Sequence, residues 1–157
     1  MNDCTSARRR SLMRWGVLGS VAMLVAPAIA CGGGLLHARI EVSSRGLSIK
    51  ADVVRKTIPM SDLQVPLARI VDLDQEPGLR PWIKIYGVGL PAYHSGWYRL
   101  KDREKALVVL TGSRRAVYVP TTQDYALLLS PERPEEFLAA LQSPSASGQV
   151  FSIEKTR

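Results

Sequence analysis

From Arg39 onward, apolar and polar residues alternate in short runs separated by turn residues, the signature of β-strands joined by tight connections. Ile40-Glu41-Val42 and Leu47-Ser48-Ile49-Lys50 alternate on either side of the turn-forming Ser43-Ser44-Arg45-Gly46. A third run, Val53 to Ile58, is closed by Pro59, and Leu67 to Leu73 alternates in part. Gln75-Glu76-Pro77-Gly78 reads as a turn before the strand-like Trp82-Ile83-Lys84-Ile85-Tyr86. Gly87 to Gly96 is rich in glycine and proline and is expected to be a loop or bulge. Trp97 to Leu100, the continuous apolar run Ala106 to Leu110, Ala116 to Val119 and Tyr125 to Leu129 complete the strand candidates. Near the end the period changes: Pro134, Phe137, Leu138 and Leu141 fall at i, i+3, i+4 and i+7, one stripe of a helix. Glu135 and Glu136 suit its first turn electrostatically, and Pro134 suits its first position. Residues 143–157 are expected to form a flexible tail. The pattern predicts a mainly β domain: a two-sheet roll or barrel of about seven antiparallel strands, capped by one C-terminal α-helix.

The first 38 residues follow another logic. Arg8-Arg9-Arg10 and Arg14 precede an uncharged run of 22 residues, Trp15 to Leu36. A membrane span needs about 20 such residues. Pro27 and Gly32-Gly33-Gly34 weaken a helix in the second half of the run. Ala28-Ile29-Ala30 places alanines at −3 and −1 relative to Cys31, as a signal peptidase requires. Cys31-Gly32 also resembles a bacterial lipoprotein box, which makes Cys31 a candidate lipid attachment site. Arg9-Arg10-Ser11-Leu12-Met13 resembles a twin-arginine export signal. An anchored helix, a lipoprotein and soluble export therefore remain open. All three keep the N-terminus in the cytoplasm and place the domain outside.

Gly46-Leu47-Ser48-Ile49, Ile58-Pro59, Gly87-Val88-Gly89-Leu90-Pro91-Ala92-Tyr93 and Gly96-Trp97-Tyr98-Arg99-Leu100 occur in an order that resembles the bacterial PH-like domains. The resemblance continues through Val117-Tyr118-Val119-Pro120-Thr121 and Leu127-Leu128-Leu129-Ser130 to Pro134-Glu135-Glu136-Phe137-Leu138, roughly residues 40–142. It implies the PH-like fold, with no catalytic motif or cofactor to carry over. Members are commonly tied to a membrane by an N-terminal helix. The resulting organisation is a leader or anchor over 1–38, a domain over 39–142 and the tail.

Charge and candidate chemistry narrow the function classes. The net charge is +7, from 21 basic and 14 acidic residues, and residues 1–30 hold +3 of it through four arginines against Asp3. Two cysteines, Cys4 and Cys31, cannot build a disulfide scaffold or a four-thiolate metal site. Gly87-Val88-Gly89-Leu90-Pro91-Ala92 matches a dinucleotide fingerprint literally, but no helix pattern follows to hold a pyrophosphate. His37 and His94 are the two histidines, and His94 is read as an exposed loop residue. Asp72, Asp74 and Glu76 read as a solvated strand end rather than a metal site. Lys101, Arg103, Lys105, Arg114 and Arg115 fall at opposite ends of one strand, and nothing resembles the basic-aromatic interleaving of a nucleic-acid surface.

These observations predict a non-catalytic binding or scaffold module, without catalytic residues, metal or cofactor, held in the bacterial cell envelope. Its expected partners are the membrane, through the N-terminal segment, and another protein; nucleic acid is not among them. The candidate binding loop comprises Gly89, Leu90, Pro91, Tyr93, Gly96 and Trp97. The alternative is an exported small-ligand-binding or enzymatic domain using the Gly87–Gly96 loop.

Overall fold

The structure is a computed structural model that describes residues 38–144 and 148–153. The chain divides into two units, Met1–Leu35 and Leu36–Arg157, and the described residues all belong to the second. The basic leader, the apolar run and Cys31 lie outside them. Among the described residues, no helix is long and apolar enough to cross a membrane.

Among the described residues, ten strands form two sheets. Strands β1 (Ala38–Ser43), β2 (Gly46–Lys50), β3 (Arg55–Pro59) and β10 (Gln149–Ile153) make a four-stranded sheet in the order β10-β1-β2-β3. Strands β4 (Arg69–Asp72), β5 (Pro81–Leu90), β6 (Tyr93–Leu100), β7 (Lys105–Leu110), β8 (Arg115–Pro120) and β9 (Ala126–Leu129) make a six-stranded sheet in the order β4-β8-β9-β7-β6-β5. Helix α1 covers Pro134–Gln142.

The core sits on both faces of the six-stranded sheet. On the first face Leu107, Val109, Val117, Val119, Leu127 and Leu129 meet Ile40, Leu47, Ile49 and Ile58 of the four-stranded sheet. Phe137 and Leu141 of α1 and Phe151 and Ile153 of β10 join the same cluster. On the second face Val108, Leu110, Leu128, Tyr98 and Leu100 pack with Val71, Leu73 and Leu79. The topology explains the second layer. Strands β4 and β5 are consecutive in sequence but lie at opposite edges of the sheet. The connection between them must therefore cross the sheet, and it buries Leu73 and Leu79 as it does so. The β6–β7 turn fastens its far end, with Lys101 N–H donating to the Arg80 carbonyl and Asp102 N–H to the Gly78 carbonyl. Because both faces are covered, β9 is buried throughout and β7 from its second residue on, as expected of a continuous apolar run.

The mainly β, two-sheet architecture with one C-terminal helix agrees with the sequence pattern, but three details differ. The strands number ten rather than about seven, and one pair is parallel: β9 inserts between β7 and β8 and runs parallel to β7. The Gly87–Gly96 segment is no loop, since it lies in the paired strands β5 and β6, joined by a turn at Pro91-Ala92. The tail is structured over 149–153, where β10 pairs with β1 from Ala38↔Ile153 to Val42↔Gln149. Alternation explains this last pairing. Phe151 and Ile153 are buried while Val150 and Ser152 face outward, and the Phe151 ring stands edge-on to Phe137, centroids 5.3 Å apart.

Phe137→Ala and Phe151→Ala in a fragment spanning residues 36–157 are each expected to cost about 3–5 kcal/mol by urea denaturation. The double variant is expected to lose about 0.5–1.5 kcal/mol less than the sum, because the two rings touch. Glu136, exposed and paired with Arg133, is expected to cost under about 1 kcal/mol as alanine.

Candidate functional site

The β5–β6 hairpin carries five of the eight large apolar side chains exposed among the described residues. Trp82, Ile83, Ile85, Tyr86 and Leu90 are all solvent-exposed, with Trp82 at 70% and Tyr86 at 63%. An ordinary edge strand alternates between a core face and a wet face. Here five consecutive residues, Trp82 to Tyr86, are exposed. Two irregularities in register account for the broken alternation. Pro81 pairs with Leu100 and Ile83 with Arg99; Lys84 pairs with Tyr98 and Tyr86 with Trp97. Trp82 and Ile85 are thus the extra residues of two bulges, which twist the strand away from the sheet.

Past the bulges the hairpin becomes tight. Gly87 and Gly96 face each other, both at φ +137°, and a Cβ on either would lie 2.1–2.2 Å from a carbonyl oxygen of the opposite strand. The glycines allow two backbones to approach, which is why this stretch reads as a loop from composition yet folds as a strand pair.

The six residues of the predicted binding loop separate accordingly. Gly89, Leu90 and Pro91 line a shallow hollow of about 400 Å³ with Trp82, Lys84, His94 and Tyr98. The hollow adjoins a cleft of about 270 Å³ lined by Leu73, Asp74, Arg80, His94, Leu110, Ser113 and Arg114, among others. Tyr93 is buried instead, and its hydroxyl donates to Asp52 at 2.8 Å. Gly96 is a packing glycine. Trp97 lies on the other face of β6, edge-on to Tyr125 at 5.0 Å, with Lys56 and Lys105 ammonium groups 4.9 and 4.8 Å from its ring centre. The predicted loop is therefore two surfaces on opposite faces of β6.

His94 belongs to a strand rather than a loop, as a half-buried residue whose ring contacts Tyr98 at 5.7 Å. Burial holds its imidazole below the usual pKa, so the neutral form is favoured. The cations of the cleft are already committed. Arg80 donates to the Leu73 carbonyl and pairs with Asp74, and Arg114 pairs with Asp74 at 3.0 Å. Glu76 is held by Arg69 at 2.5 Å, and Asp72 accepts from the Asp74 N–H. The three carboxylates of the 72–76 stretch therefore have separate partners.

With this geometry in place, comparison with known families is direct. The family model described as Bacterial PH domain matches residues 38–145. The chain belongs to the bacterial PH domain family. No curated protein and no solved structure matches it. The PH domain match runs from the first residue of β1 through α1 and stops short of β10. Trp82, Ile83, Ile85 and Tyr86 escape sequence reasoning because exposed and buried strands of this composition look alike. The one signal was Lys84, a charge in the middle of an apolar run.

Two outcomes follow for the hairpin. Burial, and secondarily the Asp52 carboxylate, push the Tyr93 phenol up to about 12. A group whose folded pKa lies above its unfolded value near 10 stabilises the fold fully below that value. Its contribution is lost as pH rises from about 10 to 12. Tyr93→Phe is expected to cost about 1 kcal/mol at neutral pH and to make the alkaline fall shallower, read from urea midpoints against pH. Gly96→Ala is expected to destabilise by at least ~2 kcal/mol, since it adds backbone strain and a Cβ facing the Tyr86 carbonyl.

Proposed function

We propose that this PH domain is a non-catalytic binding module, tethered to the membrane on its extracytoplasmic side, and that it works through the exposed β5 edge. The apolar side chains displayed by that edge carry the reading. Soluble domains seldom expose a contiguous group of large apolar residues without a partner for them. The 106–110 and 126–129 runs satisfy the folding requirement, so Trp82, Ile83, Ile85 and Tyr86 are not needed to build the core. The adjacent cleft supports a small-ligand role less well, because both of its arginines are already paired with Asp74. The tether rests on the sequence: four arginines, then the 22-residue uncharged run, then the domain.

The protein is expected to sediment with membranes and to be cut by protease added from the extracytoplasmic side. Recovery in the cytosol would end the proposal. Cys31→Ser separates the modes of attachment: a lipoprotein loses its lipid label and its anchor, while a spanning helix keeps the protein in the membrane.

A further inference from the structure

Resting on the tethered reading, we infer that the β5 edge seats in the interfacial layer of an anionic lipid bilayer. Three ways of covering an exposed edge strand are a paired strand, a second protein surface and a membrane.

Strand addition is blocked by the edge itself. A partner strand needs a regular row of backbone groups, and β5 carries two bulges within five residues, with Lys84 between them. Bulges and a central lysine are the devices by which edges avoid pairing. Pairing of two copies about the middle of Trp82–Tyr86 would also set Lys84 against its own counterpart.

A rigid protein surface covers one face of a strand, whereas β5 exposes consecutive side chains on both of its faces. Such a wedge fits a medium that flows around it. The side chains are those that favour the membrane–water boundary: Trp82 and Tyr86 have amphipathic rings, and Ile83 and Ile85 supply the apolar depth.

Charge complementarity sets the kind of membrane. Around the strand lie Lys84, Arg99, Lys101 and Arg103 against Asp102 and Glu104, a local balance of four positive to two negative, while Arg80 is already paired with Asp74. Arg99 is opposite Ile83 in register, and the β6–β7 turn carrying Lys101 and Arg103 is bonded to the Arg80 end of β5. The apolar row is thus rimmed by basic side chains with long aliphatic stems, suited to lipid phosphates above a partly immersed strand.

The length of chain ahead of the domain fits. Only His37 separates Leu36, the end of the uncharged run, from Ala38, the first residue of β1. Six residues separate Cys31 from Ala38, a reach of at most about 25 Å for an extended chain. With either mode of attachment the domain stays near the lipid surface.

The test reconstitutes the full chain in vesicles of phosphatidylcholine with a minority of phosphatidylglycerol, with brominated or ordinary acyl chains. Trp15→Phe removes the tryptophan of the apolar run, and the difference between Trp15→Phe and Trp15→Phe/Trp82→Phe isolates the emission of Trp82. That emission is expected to fall about twofold or more on bromination. It is expected to recover when phosphatidylglycerol is left out. Emission unaffected by bromination overturns the inference, whether its wavelength marks water or burial in another copy of the chain. Equal quenching in neutral vesicles contradicts the role of the basic rim. A chain that floats with the vesicles while Trp82 stays unquenched overturns the docking alone; a chain that does not float overturns the tether as well.

Discussion

The six-stranded sheet is apolar on both faces, and the rest of the domain follows from the need to cover them. One face is met by the four-stranded sheet and α1, with Phe137 and Phe151 in edge-to-face contact where helix and last strand join. The other is met by a connection that crosses from β4 at one edge to β5 at the other. Burial of large side chains on this scale is the dominant stabilising term available to a domain of this size. Removing the crossing segment would leave Val108, Leu110 and Leu128 facing water, even though every strand hydrogen bond of the sheet remained.

That arrangement leaves the two edges of the sheet in different situations. At one edge, Arg69 of β4 lies over the Tyr118 ring and is bridged to Glu76 on the connection. At the other, β5 begins where the connection ends and extends past the covered area. Its last four residues are pressed onto β6 through the facing glycines, while Trp82 to Tyr86 lie over no core. One end of β5 is thus packed against its neighbour, while the other presents its apolar side chains to solvent.

Much of the fold was legible in the sequence because burial leaves a periodic trace. Phe137, Leu138 and Leu141 mark the helix stripe in the sequence, and the run Ala106 to Leu110 marks the buried β7. The strand pairing was not: the parallel β7–β9 contact joins residues that no local pattern connects. The Gly87–Gly96 segment misled for a definite reason. Glycine spacing that permits close backbone approach has the same composition as a loop. The 149–153 strand was hidden behind Ser143 to Ser147, and its two buried residues, Phe151 and Ile153, gave a pattern too short to outweigh that polar approach.

The candidate site was half legible. Of the expected binding-loop residues, Gly89, Leu90 and Pro91 line the hollow, whereas Tyr93 is buried and Trp97 lies on the opposite face of β6. In the sequence the exposed row looks like an ordinary strand. Trp82-Ile83-Lys84-Ile85-Tyr86 and Ala106 to Leu110 are similarly apolar, and only the topology decides that the first is an edge and the second a centre. Lys84 marks the difference.

The central claim is that β5 is a covered surface in the native setting although none of the described residues covers it. Hydroxyl-radical footprinting measures this directly, by comparing the full chain in isolated membranes with the 36–157 fragment free in solution. Trp82, Ile83, Ile85 and Tyr86 are expected to be oxidised rapidly in the fragment and protected in the membrane. Val53 and Leu67, exposed elsewhere on the domain, are expected to react alike in both. Equal oxidation of the β5 residues in the two settings would contradict the claim.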